Sequence, residues 1–324
     1  MNFYLIGVDC KSAPLELREK IFRERRNIQD FWEKHSSQQA AILATCNRLE
    51  IYALAEDFSQ ARRSIDFFRQ HFPEFIACGY VLFGEKEILQ HILRLSCGLE
   101  SQLKGELEIA QQLERWSSQD CFLPLLKGLV EKALFLGRQI RQQSGLNQPG
   151  ANIATLVFDD LIRNLGQDDI LKILVLGTGK IAELLFLCRP QNVYFYFAGY
   201  RNFERAKFLA QQAGGQAVPL KDIGKVIYDV DAVISATSSP HFLVYAKDLS
   251  VVSCRRKKPL LLYDLALPRD IEPNVGKLPG VMLKNLDDLG VVFEEYNFFI
   301  QDKIKLAEYL CSEAMKETKE KIYA

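Results

Sequence analysis

Leu171-Lys172-Ile173-Leu174-Val175-Leu176-Gly177-Thr178-Gly179-Lys180-Ile181-Ala182 is the stretch on which the fold turns. Its first half is a short, almost wholly apolar run, the pattern of a strand buried on both faces. The run stops at G-x-G-x-x-A, and the residues after it, KIAELLFLC, have the pattern of a helix. In such a turn the first glycine permits the tight bend and the second lets the backbone approach a pyrophosphate. A small third residue lets helix pack on strand. The helix N-terminus then faces the phosphates with its partial positive charge. Gly177, Thr178, Gly179, Lys180, Ile181 and Ala182 are therefore the candidate dinucleotide-binding residues.

The same rhythm continues outward. Strands are predicted at 193–199, 216–218, 231–237, 259–266 and 281–284, with a helix over ERAKFLAQQA after the first of these. Alternation of this kind predicts a doubly wound parallel sheet, a Rossmann-type domain. The second strand ends in Gly199-Tyr200-Arg201-Asn202, without the carboxylate that usually binds the ribose of NAD. Arg201 there favours NADP, although a solvated arginine fits the position equally well.

Before this domain, 3–8, 40–45 and 49–55 read as strands and 15–34, 59–71 and 85–97 as helices. Residues 99–165 read as helical, broken at 144–150. Residues 286–323 read as one long helix with Phe293, Tyr296, Phe299 and Leu306 as apolar positions. The fold class is α/β: a mixed catalytic domain over 1–148, an NADP-binding domain over 149–285 and a C-terminal helix over 286–324.

Composition bounds the function classes. The 324 residues carry 41 basic and 41 acidic side chains, with 48% hydrophobic and 25% charged residues, which excludes a disordered or fibrous chain. No apolar run has the length of a membrane span, and the N-terminus lacks the basic start of a signal peptide, so a cytoplasmic protein is expected. Cysteines at 10, 46, 78, 97, 121, 188, 254 and 311 form no close-spaced pair, so no metal site is expected and each thiol defaults to a small buried hydrophobe. Basic and acidic residues balance within 1–150, which excludes a basic nucleic-acid domain there. The densest basic cluster is Arg255-Arg256-Lys257-Lys258, whose ordinary reading is a solvated loop.

Two segments of the first domain stand out. Cys46 ends an apolar strand in Thr45-Cys46-Asn47-Arg48-Leu49-Glu50-Ile51-Tyr52, at an edge where a thiol can be exposed and Arg48 could lower its pKa. Spacing alone also fits a buried core cysteine. In Gly98–Gln112, Ser101, Gly105, Glu108 and Gln112 would share one polar stripe if the segment were helical, which suits a polar ligand or a solvated face. His91 lies between Ile88 and Leu95, as a core histidine would.

Taken in order, these segments resemble the glutamyl-tRNA reductase family. Lys11-Ser12-Ala13-Pro14-Leu15-Glu16-Leu17-Arg18-Glu19 is similar to that family's opening motif, and Thr45-Cys46-Asn47-Arg48 with Glu50 and Tyr52 to its T-C-N-R-x-E-x-Y signature. Gly98–Gln112, Gly177–Ala182, the Arg201 and Arg205-Ala206 run, Ser235-Ala236-Thr237 and Pro268-Arg269-Asp270-Ile271-Glu272-Pro273 complete the set. The resemblance implies NADPH-dependent reduction of glutamate carried on tRNA to glutamate-1-semialdehyde, the first step of tetrapyrrole synthesis. It implies Cys46 as nucleophile and His91 as a second catalytic residue. Thr45, Asn47, Arg48, Ser101, Glu106, Leu107, Glu108 and Gln112 would line the substrate pocket. The implied partners are glutamyl-tRNA and the aminomutase that consumes the semialdehyde.

The chain departs from the family pattern at Asp9-Cys10, in place of Asn-His, and at Leu107-Glu108, in place of Pro-Gln. Family chains also continue into a dimerisation domain, so a shortened C-terminal region is expected and a homodimer is left open. Two rival functions are a small-molecule NADP dehydrogenase of shikimate type, which needs no thiol nucleophile, and a non-catalytic relative that binds NADPH or tRNA.

Overall fold

Strand β1 (Asn2–Asp9) is buried from Phe3 to Asp9, because it is paired along both edges and covered on both faces. Its period of two sends Phe3 and Leu5 into one core and Tyr4, Ile6 and Val8 into another. The computed structural model that shows this describes residues 2–35, 40–71, 73, 78–119, 123–147, 152–166, 170–199, 201–253 and 258–322. It divides into two units, residues 1–150 with 293–324, and residues 151–292.

In the first unit β1 is followed by α1 (Leu15–His35), β2 (Ala40–Ala44), β3 (Arg48–Ala55), α2 (Phe58–His71) and β4 (Tyr80–Phe83). Then come α3 (Glu85–Ser96), α4 (Glu108–Ser117) and α5 (Pro124–Ser144). The sheet has the order β2-β3-β1-β4 and is antiparallel throughout, with Asp9 opposite Arg48 and Gly7 opposite Tyr80. Helices α1 and α2 supply Ile21, Ile28, Ile65 and Phe68 to one core, whereas α3, α4 and α5 supply Ile88, Leu113 and Leu126 to the other. Strand β4 lies between Gly79 and Gly84 and carries no alternation of burial, which is why its sequence does not announce a strand.

The second unit begins with α6 (Ile153–Leu165), whose Asn152 and Thr155 form a reciprocal capping box. It continues with β5 (Leu171–Leu176), α7 (Lys180–Cys188), β6 (Val193–Ala198), α8 (Phe203–Ala213), β7 (Gln216–Ala217), β8 (Ala232–Ser235), α9 (Ala246–Ser253), β9 (Leu260–Asp264) and β10 (Val281–Asn285). The sheet is parallel with the order β10-β9-β8-β5-β6-β7, the doubly wound arrangement expected. The order reverses between β5 and β8, so the crevice beyond their carboxyl ends lies between Gly177 and Ser235. The chain closes with α10 (Gly290–Phe299) and α11 (Gln301–Ile322), returning to the first unit at Phe293.

Two expectations about helices are corrected. Residues 99–107 are turns instead of the start of a helix. Gly98 (φ +72°) and Gly105 (φ +77°) both adopt left-handed backbone, and the Gly105 N–H donates to Gly98 O at 3.1 Å, folding the segment back on itself. The supposed polar stripe of Ser101, Gly105, Glu108 and Gln112 therefore does not exist as a helix face. The C-terminal region is two helices interrupted at Ile300, and its buried stripe is Ile300, Ala307, Cys311 and Met315. Phe299, at 86% exposure, and Leu306 face outward instead, because the period that buries Ile300 and Ala307 turns their predecessors away.

At Gly98 a Cβ would lie 2.9 Å from both Gly105 Cα and Glu106 O. Gly98→Ala is expected to destabilise the first unit by roughly 2–4 kcal/mol, through positive φ and backbone overlap together. Chemical denaturation of the variant measures this, and a loss under 0.5 kcal/mol, the range of an indifferent surface change, would contradict it.

Candidate active site

Thr45 builds the turn that presents Cys46. Its hydroxyl oxygen accepts the N–H groups of Asn47 and Arg48, each at 3.2 Å, while its own N–H donates to Arg48 O at 2.9 Å. The turn joins β2 to β3, and Cys10 N–H donates to Asn47 O at 2.8 Å, tying it to the end of β1. Cys46 is half-buried. Burial pushes its thiol up to about 12, the charge of Glu106 adds to this, and Arg18 opposes it. Arg18, 1% exposed on α1, donates from Nη1 to Cys46 O at 3.1 Å and from Nε to Ala13 O at 3.2 Å. The cation that faces the thiol is thus Arg18.

Arg48 is committed elsewhere. Its side chain is buried, Nη1 donating to Glu50 Oε1 at 2.8 Å and Nη2 to Glu100 O at 2.6 Å. Glu50 is wholly buried and also accepts from Tyr52 Oη (2.6 Å) and Tyr80 Oη (2.6 Å), and meets His91 Nε2 at 2.9 Å. Burial alone would favour the protonated acid, but His91 and Arg48 outweigh it and hold the Glu50 carboxyl well below the usual range. Tyr80 reaches this group because Gly7, opposite it on β1, has no side chain; a Cβ there would lie 2.7 Å from the Tyr80 ring.

Around the thiol, Ser101 is buried and Glu106 lies within the electrostatic field of Cys46, Glu108, Arg48 and Arg141. Burial raises the Glu106 carboxyl, with the Ser101 hydroxyl pulling the other way. Arg141 holds the segment, donating to Glu106 O at 3.0 Å and Gly105 O at 2.8 Å. Asn47 Oδ1 is buried and, among the described residues, accepts no hydrogen bond. Gln112 is half-buried on α4, whereas Leu107 is exposed.

In the second unit Gly177 has φ +112°, and a Cβ on it would lie 2.6 Å from Ala236 O. That carbonyl belongs to the loop after β8, which buried Asp270 fixes by accepting from Ser235 Oγ (2.7 Å), Thr237 N (2.9 Å) and Thr237 Oγ1 (2.7 Å). Gly179 precedes α7 with no side-chain cap and with open space where a Cβ would stand. This leaves the first N–H groups of α7 available to a phosphate, so the residues present fit a dinucleotide. Arg201 is exposed just ahead of α8, and Arg205 is paired with Glu183. Tyr200 and Arg255, Arg256 and Lys257 lie outside the described residues.

The sequence model described as "Glutamyl-tRNAGlu reductase, N-terminal domain" matches residues 6–144, and "Shikimate / quinate 5-dehydrogenase" matches 153–292. A glutamyl-tRNA reductase of Thermus thermophilus is 32% identical over 298 residues, covering 89% of this chain and 73% of the relative. This chain belongs to the glutamyl-tRNA reductase family. A second reductase, from Pelotomaculum thermopropionicum, is 30% identical over 312 residues, covering 91% of this chain and 70% of the relative. The solved glutamyl-tRNA reductase of Methanopyrus kandleri aligns at 27% identity with a TM-score of 0.47, over 99% of this chain and 81% of that one.

Within this family fold, Arg18, Tyr80 and Asp270 are the residues whose place at a site the sequence reading did not foresee. Only the motifs containing Arg18 and Asp270 gave any signal of them.

Glu50 provides a pH test. The unfolded chain takes up a proton on this carboxyl near pH 4.3, while the folded chain resists it to lower pH, so the stabilisation exists above about pH 4.3 and is lost on acidification. Glu50→Gln is expected to cost roughly 3–5 kcal/mol at neutral pH by leaving Arg48 buried without its counter-charge. It should also flatten the fall of stability below about pH 4.5. Denaturation midpoints across pH 3–7 read both effects, and an unchanged acid slope would refute the assignment.

Proposed function

We propose that this chain reduces the glutamyl group of glutamyl-tRNA to glutamate-1-semialdehyde with NADPH, through a thioester on Cys46. The observation that carries the reading is the Thr45–Arg48 turn, which sets a half-buried thiol beside an orphaned buried acceptor, Asn47 Oδ1. In the first step Cys46 Sγ attacks the ester carbonyl and the tRNA 3′-oxygen leaves. The thiol carries its proton at neutral pH, so that proton must depart as the S–C bond forms. Glu106 is the carboxylate whose charge acts most on the thiol, and its own raised affinity for a proton suits it to accept this one. The leaving 3′-oxygen takes up a proton in turn.

Asn47 Oδ1 is suited to the substrate's ammonium group, since it lacks a donor and an ammonium supplies three. Ser101, Glu108 and Gln112 are proposed to line the remainder of the glutamyl pocket, with Thr45 and Arg48 shaping it from behind. Glu50 fixes His91 through Nε2, which leaves Nδ1 as the ring atom able to exchange a proton with substrate. In the second unit Gly177, Thr178, Gly179, Lys180, Ile181 and Ala182 would hold the pyrophosphate, and Arg201 the 2′-phosphate that distinguishes NADPH. NADPH, when bound, supplies the hydride that takes the acyl group to the aldehyde.

A cytoplasmic setting and hand-over of the reactive aldehyde to an aminomutase belong to the same proposal. No described helix is long and apolar enough to cross a membrane.

Single-turnover NADPH oxidation with glutamyl-tRNA tests the chemistry. The native chain should oxidise the cofactor, and Cys46→Ser should lose at least about a hundredfold, the scale of a deleted nucleophile. Full activity in the serine variant removes Cys46 from the reaction. Binding of the tRNA by a native chain that oxidises nothing favours a regulatory relative instead. The raised thiol predicts a second result: alkylation of Cys46 by iodoacetamide, followed by peptide mass mapping, should still be accelerating at pH 10. Arg18→Met should slow it further by removing the opposing charge, and a plateau below pH 9 would contradict the assignment.

A further inference from the structure

Cys97 and Cys311 lie 214 residues apart in the chain and meet with their sulfurs 3.8 Å from one another. Cys97 follows α3 and is 0% exposed; Cys311 lies on α11 and is 3% exposed. Both belong to the first unit. Among the described residues no third His, Cys, Asp or Glu joins them to make a metal cluster. A bonded pair needs the sulfurs to close from 3.8 Å to about 2.05 Å.

We propose that Cys97 and Cys311 are a site of reversible oxidation, at which a peroxide converts the thiol pair to a disulfide that pins α11 to the end of α3. The chemistry divides unequally between the two. Either sulfur can donate the hydrogen bond they share; with Cys311 donating, that bond and the Arg141 charge favour the Cys97 thiolate, while Cys311 is held as the thiol. Cys97 Sγ attacks the peroxide O–O bond, giving a sulfenic acid and hydroxide, which takes up the thiol proton to leave as water. Cys311 Sγ then displaces the sulfenic oxygen as a second water, forming the S–S bond. Two thiols have lost two electrons and two protons, and one hydrogen peroxide has become two waters.

In the reduced chain Ala307 and Met315 hold α11 in the core, with Ile300 just ahead of it, and Glu308 meets Arg94 at 3.3 Å. On α10, Asn297 accepts from Lys104 N at 2.9 Å and donates to Gln102 O at 2.8 Å, reaching the turn segment that carries Ser101. The disulfide would add a covalent tie directly before Gly98, where that segment begins. Because both sulfurs are covered, the oxidant reaches them when α11 opens locally from α3 and α5.

The test uses the full chain and requires no enzymatic activity, so its outcome is separate from that of the proposed reaction. Reduced protein is exposed to hydrogen peroxide, its remaining thiols are alkylated, and non-reducing peptide maps are read by mass spectrometry beside thermal unfolding. A linked Cys97–Cys311 peptide lighter by two hydrogens is expected, with a midpoint raised by roughly 5–10 °C for a closed loop of this length. Dithiothreitol should reverse both. Cys311→Ala and, independently, Cys97→Ala should give neither the link nor the rise, so failure of one variant to fold leaves the other to decide. Cross-links confined to other cysteines, sulfinic acid at Cys97 without a link, or a midpoint rise kept by the alanine variants would each overturn the proposal.

Discussion

A buried negative charge organises the first unit of this protein. Glu50 sits at 0% exposure, and an uncompensated carboxylate there would be prohibitive in a low-dielectric interior. Its partners come from β3 (Arg48 and Tyr52), β4 (Tyr80) and α3 (His91), so satisfying one charge fixes the relative placement of three elements. Arg48 carries the constraint onward to Glu100 O and hence to the turn segment with Ser101 and Glu106. The Cys46 turn is attached to the same strand and inherits its position from it. In this arrangement Arg48 acts as a strut, and the cation that acts on the thiol comes from α1.

The nucleotide half solves a similar problem with hydrogen bonds to buried carboxylates. Asp264 accepts from the backbone N–H groups of Ala266, Asp270 and Ile271, and Asp270 in turn accepts from Ser235 and Thr237. Each carboxylate thereby fixes loop backbone that no regular ladder could hold. Burial raises both carboxyls, Asp264 to about 7, which the donated bonds offset in part. The result is a rigid loop after β8 against which Gly177 packs, at the point where the strand order reverses.

The parallel sheet and its glycine turn were legible in the sequence because buried strands and G-x-G-x-x-A carry local signals. So were most strands and helices of the first unit, and the motif containing Cys46. The β4 strand was not, since an edge strand of mixed burial has no period to read. The turns at 99–107 were not either: their helical pattern is real, but positive φ at Gly98 and Gly105 overrides it. A glycine's dihedral cannot be read from its neighbours' hydrophobicity.

The sequence by itself determined the α/β class, the order of most of its elements, the dinucleotide turn and the residues of the thiol motif. These follow from periodicity and from residue types that act within a few positions of one another. Only the tertiary structure decided which charge faces which group: that Arg18 lies behind Cys46, that Arg48 is spent on Glu50 and Glu100 O, and that Cys97 meets Cys311. Apart from Arg48 with Glu50, two positions away on the same strand, these pairings join residues 28 to 214 positions apart and depend on packing. Electrostatic energy falls with distance in space and is indifferent to distance along the chain.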